Sequence, residues 1–214
     1  QAVDGFKKDG IDVSHVLRDE AAPSGVALIF VDEQGENSIG VAGGANGRLS
    51  PADVEAASAA ITSADILIMQ LETPIETIEA AAKLAHDNGV KVILNPAPAQ
   101  PLSDSLLACV SVLTPNESEA ELLTGKTVTS ETDAGAAAQA LVDKGIDCVL
   151  ITLGAKGAYV HTPELKALVP GFSVEAVDST AAGDVFNGAL AVAMAEGKKL
   201  NEAIAFANAA AALS

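Results

Sequence analysis

Short apolar runs alternate with amphipathic stretches along most of the chain. Apolar positions recur at helical spacing over 51–63, 75–88, roughly 116–124 and 132–144. Between them lie DILIMQ (65–70), KVILN (91–95), VSVLT (110–114) and CVLITL (148–153), which are nearly continuous apolar segments of strand length. Such runs between amphipathic helices predict a parallel sheet buried on both faces. Upstream, residues 1–16 read as the end of a helix, a turn at Asp9-Gly10 and a short extended piece. GVALIFVD and NSIGVA flank DEQGEN and predict a β-hairpin over 25–42. Ser50-Pro51 has the form of an N-cap followed by proline in the first helical turn.

Downstream, a turn over Gly154–Gly157 leads to AYVHT and ALVPGFSVEAV, expected as antiparallel strands at one edge of the sheet. An Ala-rich helix over about 182–196 and a last helix from near Asn201 follow. There is no repeat of 20 to 50 residues. The pattern predicts one α/β domain over 1–214, doubly wound and mostly parallel, flanked by helices and carrying a small β-hairpin near its start.

Composition narrows this picture. Of 214 residues, 49% are apolar but only 3% aromatic, so the core must be built from Ala, Val, Leu and Ile. A formal charge of −17 repels nucleic acid and anionic membrane surfaces. No apolar run reaches the roughly 18 to 20 residues of a membrane span, and no signal peptide opens the chain, so a cytoplasmic protein is expected. Cys109 and Cys148 lack CxxC spacing and read as core residues in a reducing compartment. His15, His86 and His161 show no metal-ligand spacing and read as surface or core histidines.

In open α/β sheets ligands bind at the carboxyl ends of the parallel strands. The residues there are Gln70-Leu71-Glu72-Thr73-Pro74, Asn95-Pro96-Ala97-Pro98, Thr114-Pro115-Asn116-Glu117-Ser118-Glu119 and Gly154-Ala155-Lys156-Gly157. The strongest element is Asp178-Ser179-Thr180-Ala181-Ala182-Gly183-Asp184, where small residues lead straight into a helix. Unpaired N–H groups and the positive end of the helix dipole favour an anion there. Asp184, in the first turn, is placed to accept a proton from a hydroxyl, although helix capping explains the same residues.

DSTAAGDVFNGAL resembles the second signature of the ribokinase (PfkB-type carbohydrate kinase) family, D-[TS]-x-x-[GA]-G-D-x-F-x-G. LETP, NPAPAQP, TPNESEAELLTG and TLGAKGAYV are also similar to ribokinases, in the family's order and over essentially the whole chain. The resemblance implies a ribokinase-like fold that phosphorylates the terminal hydroxyl of a pentose with ATP, D-ribose to D-ribose 5-phosphate being the expected reaction. It makes Asp184 the base, Ala181, Ala182 and Gly183 the anion hole, and Glu72 a sugar ligand. Asn116 and Glu119 match an N-x-x-E motif acting largely through water on Mg²⁺ and the phosphates, though the same spacing makes a capping box. Thr152, Gly154, Ala155, Lys156 and Gly157 match the nucleotide-binding turn, and Asn208 a contact to adenine or ribose. Asp178 and Thr180 match an activating K⁺ site whose remaining ligands are expected beyond Ser214.

The family's early sugar-binding Asp and G-G-K-G-x-N segment have no counterpart. Gly43-Gly44-Ala45-Asn46 follows the hairpin, whereas that motif precedes it. Central strands and most sugar contacts are therefore expected outside this chain. The alternatives are a truncated, non-catalytic nucleotide-binding module, or a related kinase acting on fructose or a nucleoside. The resemblance also implies a homodimer paired through the hairpin over 25–42, used as a lid, whose edge strands are open to pairing.

Overall fold

The computed structural model describes residues 2–31, 37–174 and 181–214. Helix α1 (Ala2–Lys8) buries no side chain and is followed by a left-handed turn at Gly10. Strands β1 (Val26–Val31) and β2 (Asn37–Ala42) pair antiparallel, Val26 opposite Ala42, as a two-stranded sheet of their own. Apart from Asn37, the DEQGEN turn lies outside the described residues. Val26, Leu28 and Val41 are exposed.

Ser50 caps α2 (Pro51–Ala56), and the Asp53 carboxylate accepts from the Ser50 N–H at 2.9 Å and its hydroxyl at 2.7 Å. The single helix expected over 51–63 is broken into α2 and α3 (Ser58–Thr62). At Ala57 the backbone leaves the helical well (φ −94°, ψ 5°), and its N–H is shared between the Asp53 and Val54 carbonyls. The ladder tightens from four-residue to three-residue spacing there, which redirects the axis.

Six strands form the main sheet among the described residues: β3 (Ile66–Met69), β4 (Lys91–Leu94), β5 (Val112–Leu113), β6 (Cys148–Thr152), β7 (Gly157–His161) and β8 (Lys166–Pro170). They lie in chain order. β3 to β6 are parallel and β7 and β8 antiparallel, so the sheet is mixed as its sequence pattern predicts. β5 starts later than expected because the Val110 N–H still closes on the Leu107 carbonyl of α5 (Asp104–Leu107), a short helix that periodicity did not reveal. β8 ends at Pro170, before the end of the expected strand, and 175–180 lie outside the described residues.

The two faces are divided by strand alternation. Val149 and Ile151 of β6 join the core under α4 (Ile75–Asp87), α5, α6 (Glu117–Thr124) and α7 (Glu131–Val142). Cys148 and Leu150 join the core under α8 (Ala182–Ala195) and α9 (Leu200–Leu213). Small side chains let these helices approach closely: Ala134, Ala137 and Ala138 on one face and Ala193, Ala203 and Ala207 on the other are fully buried. β3 is the outer strand on the parallel side, and its Ile68 is 44% exposed.

Cys148 is a core residue, and its burial pushes the thiol up to about 12. Cys109 is half-buried and also unpaired by any disulfide. His15 and His86 are exposed, whereas His161 is buried and held below the ordinary histidine range chiefly by desolvation.

The turn between β6 and β7 is a single 3₁₀ turn, Gly154–Lys156, rather than a plain hairpin. Gly157 (φ 105°) lies so close to β8 that a Cβ there would collide with the Val169 carbonyl and the Gly171 backbone nitrogen. Gly154 (φ 55°) has open space around it. Gly157→Ala is therefore expected to cost about 2–4 kcal/mol, and Gly154→Ala about 1 kcal/mol, in urea unfolding.

Candidate active site

Because β3 to β6 are parallel, the polar segments that follow them come out along one edge of the sheet. Hydrogen bonds stitch these segments together. The Leu71 N–H donates to the Ala97 carbonyl (2.8 Å), Asn95 Nδ2 to the Thr114 carbonyl (3.0 Å), and the Thr152 N–H to the Pro115 carbonyl (2.9 Å). An isolated parallel bridge joins Asn116 to Thr152. Glu72, Asn116, Thr152 and Gly154 thus lie on one connected rim.

α8 begins on this rim with an unusual backbone. Its N-cap, Ala181, is left-handed (φ 62°, ψ 5°), and it is the one non-glycine with positive φ among the described residues. For alanine that conformation costs about 1–2 kcal/mol. No side chain of the described residues caps the helix, and the first helical bond is from the Val185 N–H to the Ala181 carbonyl. The N–H groups of Ala182, Gly183 and Asp184 precede that bond and have no partner in the helix. Gly183 and Asp184 are exposed, and nothing lies within 4 Å of a Cβ placed on Gly183. The first turn therefore presents an accessible helix start that no described side chain caps, with a carboxylate beside it.

Asn187, one turn on, is a residue that motif reading passed over. It is buried, its Oδ1 accepts from Thr114 Oγ1 (2.7 Å), and its Nδ2 donates to the Gly183 carbonyl (2.8 Å). The available signal was its place as the only polar side chain between Val185 and Ala195.

Asn116 and Glu119 face each other at the start of α6. Asn116 Oδ1 accepts from the Glu119 N–H (2.8 Å) and the Ser118 hydroxyl (2.9 Å). Glu119 accepts from the Asn116 N–H (2.8 Å) and Nδ2 (3.0 Å). The capping box is thus real, and burial raises the Glu119 pKa against the opposing effect of the Asn116 N–H. Among the described residues no group of three or more His, Cys, Asp or Glu is disposed to hold a metal.

Gly154, Ala155 and Lys156 are exposed on the turn, while Gly157 is buried against β8. Asn208 is buried in α9, where its Nδ2 donates to the Val169 and Pro170 carbonyls, both at 3.1 Å, and ties the helix to β8. Glu72 is exposed, accepts from Gln70 Nε2 (3.3 Å), and does not cap α4, whose N-cap is Pro74. It borders a cavity of about 350 Å³ along β3, lined by Leu49, Val54, Ile61, Leu67 and Ile68. Asp178 and Thr180 lie outside the described residues.

The family model for pfkB family carbohydrate kinases matches residues 1–214. The ribokinase of Haemophilus influenzae is 50% identical over 209 residues, which cover 98% of this chain and 68% of that protein. A deoxyribokinase of Salmonella typhi is 40% identical over 183 residues, 85% of this chain and 60% of that protein. The solved structure of Arabidopsis thaliana ribokinase complexed with ribose and ATP superposes with a TM-score of 0.79 at 34% identity, over 90% of this chain and 63% of that one. The chain therefore spans about two thirds of the length of these proteins.

Two outcomes follow from the site's geometry. Ala181→Gly relieves the left-handed alanine and is expected to raise stability by about 0.5–1 kcal/mol in chemical denaturation. The folded pKa of Glu119 is raised, so its contribution is fully present below the ordinary value of 4.5 and is lost as pH climbs through the raised value. Against Glu119→Gln, which cannot titrate, the parent is expected to lose ground as pH rises above the ordinary value of 4.5 in melts across pH.

Proposed function

The chain belongs to the pfkB family of carbohydrate kinases, and on that footing we propose that it transfers the γ-phosphoryl group of ATP to the terminal hydroxyl of a pentose, D-ribose giving D-ribose 5-phosphate. The observation that carries this reading is the left-handed start of α8 at Ala181, capped by no described side chain, on the rim that also bears Asn116 and Thr152, in a chain half identical to a ribokinase. The ribose and ATP bound by the Arabidopsis relative support the choice of substrates.

Phosphoryl transfer demands positioning and charge stabilisation more than covalent help. In this reading Asp184 accepts the hydroxyl proton. The N–H groups of Ala182 and Gly183 and the turn at Ala181 receive the negative charge of the group in transfer. Glu72 accepts hydrogen bonds from sugar hydroxyls, and the segment from Thr152 to Gly157 lies along the nucleotide. Asn208 keeps its Oδ1 for the nucleotide while its amide nitrogen holds β8.

The oxygens of Asn116 and Glu119 suit a hard cation, but each already accepts within the capping box, so they fit Mg²⁺ through water better than directly. Bound there, Mg²⁺ supplies charge neutralisation on the phosphates. K⁺ is assigned to Asp178 and Thr180 on the motif alone. We further read the chain as one ribokinase-like unit with β1 and β2 as its lid. The exposed Val26, Leu28 and Val41 support pairing of two copies there, and the two free cysteines support a cytoplasmic setting.

A second reading, a nucleotide-binding module without turnover, is favoured by the exposed Ile68 on the outer strand β3. The two are separated by measuring ADP release with Mg-ATP and K⁺, adding D-ribose, deoxyribose, fructose or adenosine in parallel. Ribose-dependent release that falls about 10²–10⁴-fold in Asp184→Asn is the expected result. No release, with ATP still raising the melting temperature, would establish the second reading.

A further inference from the structure

We propose that Asn187, gripped by Thr114, is a positioning residue that holds the first turn of α8 in the geometry phosphoryl transfer requires. The inference rests on the kinase reading above. It begins from an expense: an amide sits in a helix face otherwise made of Phe186, Leu190 and Ala193, all buried against the sheet. Burying an amide in such surroundings is unfavourable unless its bonds are made. Here they are made, to two groups that matter.

The first is the Gly183 carbonyl, 2.8 Å from Nδ2. That carbonyl shares its peptide group with the Asp184 N–H, so a hydrogen bond to the oxygen fixes the peptide plane and strengthens the N–H as a donor. The second is the hydroxyl of Thr114, 1% exposed and 2.7 Å from Oδ1. Thr114 is in turn held through its carbonyl by Asn95 Nδ2, and it lies two residues before Asn116. One chain of bonds thus runs from β4 through the end of β5 to the start of α8. It sets the distance between the Asn116–Glu119 turn and the carboxylate of Asp184.

Among the described residues nothing else in the first turn performs this task. Ala181 is strained, no side chain of the described residues caps the helix, and Gly183 packs on nothing through a side chain. A turn with those properties needs an anchor from below. Thr114 and Asn187 supply it across 73 residues of sequence.

The test compares the parent chain with Thr114→Val and Thr114→Ser. Amide exchange at Val185 to Asn187 is followed by mass spectrometry, and kcat and KM for ATP are measured with D-ribose. Thr114→Val is expected to speed exchange at those amides about tenfold while β4 and β6 remain protected. It is also expected to lower kcat about 10- to 100-fold with KM for ATP within about twofold. Thr114→Ser, which keeps the hydroxyl, should restore both.

Unchanged exchange in Thr114→Val overturns the proposal, as does a serine variant as impaired as the valine variant. So does a loss of rate that appears in KM instead of kcat. Absence of turnover in the parent chain is a failure of the kinase reading; exchange at α8 then decides on its own whether the anchor exists.

Discussion

The structure depends on the shared direction of β3 to β6. Four neighbouring strands that run the same way must all present their carboxyl ends at one edge. Their last carbonyls and the first polar residues beyond them cannot all be served by the sheet ladder. They are served by each other: Leu71 by Ala97, Asn95 by Thr114, Thr152 by Pro115. The rim is therefore a braced surface, and the residues placed on it inherit the stiffness of the core beneath.

Helix starts along this molecule are treated in two ways. α6 and α7 begin in closed capping boxes built by Asn116 with Glu119 and by Ser130 with Asp133. α8, like α4 and α9, begins without a capping side chain among the described residues, and it starts from an alanine in a left-handed turn. Capping satisfies the first donors of a helix and removes them from use, whereas donors left free stay available to water or to a ligand. At α6 the two residues proposed to act on Mg²⁺ through water are the same two that close the cap.

The alternation of apolar and amphipathic segments revealed the parallel sheet, its helices and the antiparallel strands at 157–170, because those signals are local and repeated. The break at Ala57 was hidden, since neither glycine nor proline marks it and the cause is a shared backbone hydrogen bond. α5 was hidden by its brevity. Gly157 could be read as a turn glycine, but the carbonyl of Val169 that excludes any larger residue lies twelve positions away in sequence. The motif at 181–184 was legible from its small residues. Its anchor was not, because the pairing of Asn187 with Thr114 exists only after the sheet and α8 have come together.

The outer strand β3 has a consequence for how such a sheet is extended. A strand laid antiparallel beside it needs only a tight turn, but one laid parallel must first return from the opposite end through a crossover of a dozen residues or more, usually a helix. Parallel growth at this edge therefore comes in whole βα units, each bringing its own roof. Ile68 and the apolar cavity beside it lie where the roof of such an added unit would rest.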